Sequence, residues 1–279
     1  MALKSQTFFV FFALQKGLVN IEEKYYKVWL TLIKNLGIKK YVNLINKFKT
    51  NKGIFQANKR DLLNVNLINE KICDDLLSLE IRKNVKKHLA FMELNKIDII
   101  SIADKEYPAI LREIDNPPIC LYIKGNKKIL NNISVSIVGC RDCSQYGKEI
   151  SQKLAYNLAN NSFNVVSGLA KGIDSFAHLG ALYANGKTIA VLGNGLDTIY
   201  PKENKFIANK ILRTNGAIIS EYPLGTKIEK TNFPARNRII SGISLATIVV
   251  EAKKKSGTLI TVDFALEQGR DVFVVPRKY

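Results

Sequence analysis

The chain has 279 residues, 47% of them hydrophobic and 24% charged, proportions that exclude a disordered, collagenous or disulfide-scaffold protein and allow one large and one small domain. Its 42 Lys and Arg against 24 Asp and Glu leave a formal charge of +18, a field that attracts polyanions, nucleic acid first among them. The excess is shared between residues 1–103 and 104–279, so charge alone locates no site, and a coding bias toward Lys, Asn and Ile is a competing source of it.

At the N-terminus, MALKSQTFFVFFALQKG carries a short apolar run from Phe8 to Leu14. It is too short to span a bilayer and lacks a small-x-small cleavage pattern, so it reads as the start of a buried helix or an untidy N-terminus rather than a secretion signal. From 21 to 97 apolar residues recur at spacings of three and four, as in Val28, Trp29, Leu32, Ile33 and Leu36, which predicts a small all-α domain within residues 1–103. Inside it, Asn35-Leu36-Gly37-Ile38 resembles a degenerate helix-hairpin-helix turn, with a plain helix connection as the competing reading. Tyr107-Pro108 and Asn116-Pro117-Pro118 predict an extended connection, and Leu121-Tyr122-Ile123 a short strand. After Asn131 the apolar runs VSIVG, FNVVSG, TIAVLG, AIISE, ATIVVEA and DVFVVP alternate with amphipathic stretches near 147–160, 173–184, 203–214 and 258–268. Short, β-branched and nearly uncharged, these runs predict strands buried on both faces. Their alternation with helices predicts an α/β fold, a Rossmann-like, doubly wound and mostly parallel sheet over residues 104–279.

In such a sheet ligands bind at the carboxyl ends of the strands, which directs attention to four loops. Gly139-Cys140-Arg141 offers a tight turn, a phosphate-gripping arginine and the N–H groups of the following helix; it is not G-x-G-x-x-G, so no dinucleotide cofactor is expected. Ser167-Gly168-Leu169-Ala170-Lys171-Gly172 adds two glycines and a lysine, Gly193-Asn194-Gly195 repeats the glycine theme, and Ser256-Gly257 does so again. Each glycine alone marks a turn as readily as a ligand; together they predict one phosphate-binding rim. Lys230-Thr231-Asn232-Phe233-Pro234-Ala235-Arg236-Asn237-Arg238 sets three cations beside an aromatic ring, the two parts of a single-strand binding site, with a core plug as the alternative role of Phe233.

Catalytic readings find less support. His88 and His178 have no ligand-spaced partners, so no metal is expected, and His178 reads as a helix residue bonding a neighbouring loop. Cys140 and Cys143 form the only C-x-x-C among four cysteines. The spacing suits redox chemistry, but the flanking residues of a dithiol enzyme are missing, and so few cysteines fit a reducing cytoplasm. No G-x-x-x-x-G-K-[ST] supports ATP hydrolysis.

SIVGCR, VVSGLAKGID, GKTIAVLGNGLDTIYPKEN, SEYPLGT, NFPARNRIISG, VVEAKKKSGTLIT and ALEQGRDVFVVP occur in that order, and the stretch from Asp104 to Pro276 resembles the DprA/Smf family of DNA-processing proteins. The resemblance implies an extended Rossmann fold, often preceded by a small helical SAM-like domain. It implies a homodimer that binds and protects single-stranded DNA without cutting it, and that helps load the RecA recombinase during natural transformation. It also implies that the phosphate-gripping arginine of the family's G-S-R motif falls on Arg141, and that Lys230, Phe233, Arg236, Asn237 and Arg238 match the lysine, the aromatic and the P-x-R-N-R motif. Two departures stand out. Cys140 replaces the usual Ser, Thr or Ala, which implies no chemistry for it, and the chain reads Val275-Pro276-Arg277 and stops at Tyr279, so a C-terminal winged helix is not expected in it. The expected protein is therefore a non-enzymatic cytoplasmic one with no cofactor and no membrane contact. The competing class is a Rossmann-like nucleotide phosphoribohydrolase, whose P-G-G-x-G-T-x-x-E motif has only SGTLITVDFALEQG, with Val262-Asp263, as its nearest equivalent.

Overall fold

The structure, a computed structural model, describes residues 21–253 and 256–276. The Phe8–Leu14 run and the Arg277–Tyr279 end lie outside the described residues. The chain divides into two compact units after Asn95.

The described part of the first unit is all helical: α1 over 21–32, then α2 (Ile38–Phe48), α3 (Asn51–Gln56), α4 (Lys59–Leu63), α5 (Glu70–Leu77) and α6 (Leu79–Leu94). Short helices need explicit starts, because their first amides have no partner within the helix. The side chains of Thr50, Asn58, Asn69 and Ser78 each accept a bond from the amide three residues on, which begins α3, α4, α5 and α6. Trp29, Leu44, Ile54, Leu62 and Leu76 fill the interior. The Phe55 ring sits 5.1 Å from that of Trp29 and 5.2 Å from that of Tyr26, with the Arg82 guanidinium 3.9 Å above it. Gly37 caps α2 with an ordinary φ of −81°; Asn35 is the left-handed residue here, so the turn is a plain connection.

The second unit holds an eight-stranded sheet in the order β1-β2-β6-β5-β4-β3-β7-β8. The strands are β1 (Ile97–Ser101), β2 (Cys120–Gly125), β3 (Ser134–Val138), β4 (Asn164–Ser167), β5 (Thr188–Val191), β6 (Ala217–Ser220), β7 (Ala246–Val249) and β8 (Asp271–Val274). Its helices are α7 (Ala109–Arg112), α8 (Gln145–Asn160), α9 (Ile173–Tyr183), α10 (Lys205–Arg213), α11 (Asn232–Gly242) and α12 (Gly257–Glu267). Pairing of β2 with β1 and with β6 is antiparallel, and all other pairings are parallel. The fold is thus the expected α/β one, a doubly wound, mostly parallel Rossmann-like sheet preceded by a small helical unit.

Alternate strand residues feed two separate cores, as the pleat requires. Ile137 and Val165 pack with Ala155, Ile173, Ala177 and Ala181 of α8 and α9, whereas Val138 and Val166 pack with Ile239, Ile240 and Ile243 around α11. Helices on both faces follow from right-handed crossovers that step one way from β3 to β6 and the other way from β7 to β8.

Three features differ from the sequence expectation. The division falls after Asn95, not at 103, because Ile97–Ser101 leaves the helical pattern and pairs along Cys120–Lys124. Pro108 begins the short helix α7, a role its fixed φ permits. DVFVVP is not buried on both faces: β8 is an edge strand in which Phe273 is 57% and Val274 71% exposed.

Candidate phosphate-binding cleft

The loops after β3 and β7 leave adjacent strands in opposite directions, which makes their carboxyl ends the switch point where a doubly wound sheet opens a crevice. A cleft of about 390 Å³ lies there, lined by the 139–142 loop, Lys230, Phe233, Asn237, Lys253 and the start of α12. Arg141, Lys230 and Lys253 are exposed cations on it. The Arg141 guanidinium stands 5.7 Å from the centre of the half-buried Phe233 ring.

Helix ends give the cleft its polarity. At the α8 terminus two amides are taken: Ser144 accepts the Gly147 amide at 3.0 Å, and Glu251 accepts both the amide of Ser144, at 2.9 Å, and its hydroxyl. α11 and α12 start at Thr231 and Ser256 without a side-chain cap, and Lys230, Phe233, Ser256 and Gly257 put both starts on the cleft; in α11 the Asn232 amide already donates to the Glu229 carbonyl at 3.2 Å and Pro234 has no N–H to offer. The α12 start and three cations give the cleft the positive potential that suits an anion.

The second loop, 167–172, is built to pack. The Gly168 amide donates to Asp174 at 3.1 Å, and its carbonyl accepts from Arg236 at 2.9 Å. A Cβ at this position would stand 2.6 Å from the Arg236 guanidinium and 2.8 Å from the Asp174 carboxylate, so any other residue would push these two groups out of place. Gly172, at φ +78°, has the carbonyls of Cys140 and Arg141 where a Cβ would go. Arg236 also bonds the Val191 carbonyl and is 4% exposed. Burial pulls its guanidinium down to about 10, against the opposing pull of Asp174. Burial likewise lifts the Asp174 carboxyl above the usual carboxylate range, while Arg236 and the amides of Ala170 and Gly168 act the other way.

Of the residues expected from sequence, Gly139, Arg141, Lys230, Phe233, Arg236, Asn237, Ser256 and Gly257 meet on this cleft. Gly168 and Lys171 border a smaller recess beside it. Ser167 is turned inward, donating to the Ile137 carbonyl at 2.7 Å. Arg238 points away and holds Glu221 through two bonds of 2.7 and 2.5 Å, with a third to the Asn116 carbonyl. The reason is that 232–242 is helical: Arg236 and Arg238 leave the helix in different directions, and Arg236 enters the protein. The Gly193-Asn194-Gly195 loop lines neither hollow and lies beneath Phe233, whose ring is 3.1 Å from where a Gly193 Cβ would be. Sequence reading missed Lys253, although the Lys-Lys-Lys-Ser-Gly run advertised it, and missed Tyr200, whose ring lies 5.6 Å from that of Phe233.

Among the described residues no cluster of three or more His, Cys, Asp or Glu could hold a metal, and no helix is long and apolar enough to cross a membrane. Cys140 and Cys143 are free thiols; burial, and then Glu251, push Cys140 up to about 11, the reverse of redox activation. His178 is fully buried, and its Nδ1 lies 2.7 Å from the Thr188 hydroxyl at the start of β5, not on a loop. Burial lowers it to about 3 from an ordinary 6.5. The unfolded chain therefore gains a proton below pH 6.5 that the folded protein refuses, so stability is complete above 6.5 and falls as pH drops toward 3. Between pH 7 and 5 this group costs about 2 kcal/mol. Urea unfolding at both pH values should show the wild type losing that much more than a His178→Gln variant.

The fold and the cleft define an α/β protein with a cation-lined cleft at its switch point and an aromatic ring within it. The profile of the family described as DNA recombination-mediator protein A matches residues 98–279, and the chain belongs to that family. The Smf protein of Synechocystis is 38% identical over 263 residues, which are 93% of this chain and 66% of that protein. DprA of Streptococcus pneumoniae is 47% identical over 184 residues, 66% of this chain and 64% of that one; the chain thus spans about two thirds of the length of these curated relatives. The X-ray structure of S. pneumoniae DNA processing protein A superposes with a TM-score of 0.69 at 35% identity, covering 91% of this chain and 87% of that one. A structure of DNA processing protein A from Helicobacter pylori, described for its single-stranded DNA binding mode, matches at a TM-score of 0.60 and 32% identity, over 66% of this chain and 82% of that one.

Proposed function

We propose that this chain is a non-catalytic single-stranded DNA-binding protein that protects incoming DNA and helps load the RecA recombinase during natural transformation. The observation that carries the binding step is the convergence on one cleft of Arg141, Lys230 and Lys253, the uncapped start of α12 and the Phe233 ring. Cations track the phosphates, and the ring accepts a base of any identity. Family membership supports the recombinase step, and the relative described as binding single strands supports the ligand. Four free cysteines suit the cytoplasm. The homodimer would use the apolar edge made by Phe273 and Val274 on β8 and Leu266 on α12, all exposed in the single chain.

The phosphoribohydrolase reading is weaker here, because Asp263 is exposed and absent from the cleft lining, and Val262 packs into the core. Asp174, which does line the cleft, is engaged by the Gly168 and Ala170 amides. Fluorescence anisotropy with labelled oligo-dT and a duplex of equal length tests the proposal. The single strand should bind more tightly, with a steep loss on adding salt, and nucleotides incubated with the protein should release no base. Equal binding of the two DNAs, or turnover, would overturn it.

A further inference from the structure

Beside the main cleft, a recess of about 60 Å³ opens between Arg141, Lys171, Tyr200 and Phe233. It shares Arg141 and Phe233 with the cleft, so a strand lying in the cleft would carry its neighbouring nucleotide past this opening. Lys171 Nζ does not face the recess free: it is bonded to Glu203 Oε1 at 2.6 Å. The two side chains are 58% and 63% exposed, and they come from different elements, the loop before α9 and the one-turn 3₁₀ segment Lys202–Asn204 before α10. Both elements are tied down independently of the pair: the Asn204 amide group donates to the carbonyls of Leu169 and Ala170 at 2.8 and 3.1 Å, which fixes Glu203 opposite Lys171. The carboxylate thus meets Lys171 as a phosphate oxygen would.

We propose that this recess is a second phosphate subsite for the neighbouring nucleotide of a bound single strand, and that Glu203 acts as an internal phosphate mimic that holds Lys171 until the strand displaces it. The inference rests on the reading of the main cleft as a single-strand site. An exposed ion pair is weak enough for a phosphate to exchange into it, and each exchange returns a counterion to Glu203, so the free protein holds one cation in reserve at reduced salt sensitivity. The mutual engagement is visible in the Lys171 ammonium being held above, and the Glu203 carboxyl below, their ordinary ranges by the bond between them.

The test is oligo-dT anisotropy for the full chain, its Glu203→Gln, Lys171→Ala and Arg141→Ala variants and the Lys171→Ala/Glu203→Gln double, from low to moderate salt, with thermal midpoints to show that all are folded. Glu203→Gln should bind about two- to fivefold more tightly at low salt, the range spanned by one exposed pair, and its salt slope should steepen by roughly 0.7. Lys171→Ala should bind more weakly, and in that background Glu203→Gln should change nothing. Unchanged or weaker binding by Glu203→Gln, beside a wild type that binds and an Arg141→Ala that binds poorly, overturns this inference alone. Equal tightening with and without Lys171 also overturns it, because Glu203 would then act only by distant repulsion. A wild type that binds no oligo-dT takes down the cleft reading and this one together.

Discussion

An Arg236→Ala variant should lose about 3–5 kcal/mol of stability, the cost of removing one member of a buried charged set, and for a unit of this size its thermal midpoint should fall by about 10 °C or more. Arg236 is placed by sequence among the phosphate ligands, but its guanidinium bonds the carbonyls of Gly168 and Val191 from a buried position. Removing it strands two acceptors and leaves the buried Asp174 carboxylate without its nearest cation. Asp174→Asn added to the same chain should restore part of the loss, since the amide carries no charge to compensate; a coupling of about 1 kcal/mol or more in the double-mutant cycle is the expected signature. Calorimetry of the four proteins checks it. A midpoint unchanged in Arg236→Ala, with DNA binding reduced, would mean that the arginine is a ligand and not part of the scaffold.

The second large effect is on affinity. Arg141 and Lys230 are exposed, so replacing either by alanine should leave the midpoint unchanged. Each should weaken oligo-dT binding by about tenfold, roughly 1.4 kcal/mol, and the double variant by about a hundredfold if the two phosphates are contacted independently. Each lost contact should also lower the salt slope by about 0.7. Arg141 carries the larger share of the two, because its guanidinium also lies over Phe233 and orders the ring on which a base would stack.

Where the sequence was legible follows from what kinds of signal survive in it. The buried parallel strands read directly, since VSIVG or TIAVLG must be apolar on both faces whatever the ligand. β1 was hidden because Ile97–Ser101 continues the apolar texture of α6 without a glycine or proline between them. Helix α11 was hidden because Pro234 and a run of polar residues resemble a loop, although proline in a first turn costs a helix nothing. That omission hid where two arginines reach: once 232–242 is helical, Arg236 turns its guanidinium inward at the cleft wall and Arg238 reaches Glu221. The exposure of Arg141 and Lys230 was legible because they flank a glycine turn and a helix start, positions that point outward. Glu203 gave no signal, since its meaning depends wholly on facing Lys171 across 32 residues of chain.

A chain with a net charge of +18 attracts DNA everywhere on its surface, so the decisive comparison holds charge constant. Oligo-dT anisotropy should be measured for the wild type, for Arg141→Ala/Lys230→Ala in the cleft, and for Lys210→Ala/Arg213→Ala on the exposed side of α10, across a series of salt concentrations. The two double variants carry the same net charge. The cleft variant should lose about a hundredfold in affinity, and about 1.4 in salt slope, while the α10 variant stays within about threefold of the wild type. Equal losses in the two variants would contradict this, and would show that diffuse charge rather than the switch-point cleft holds the strand.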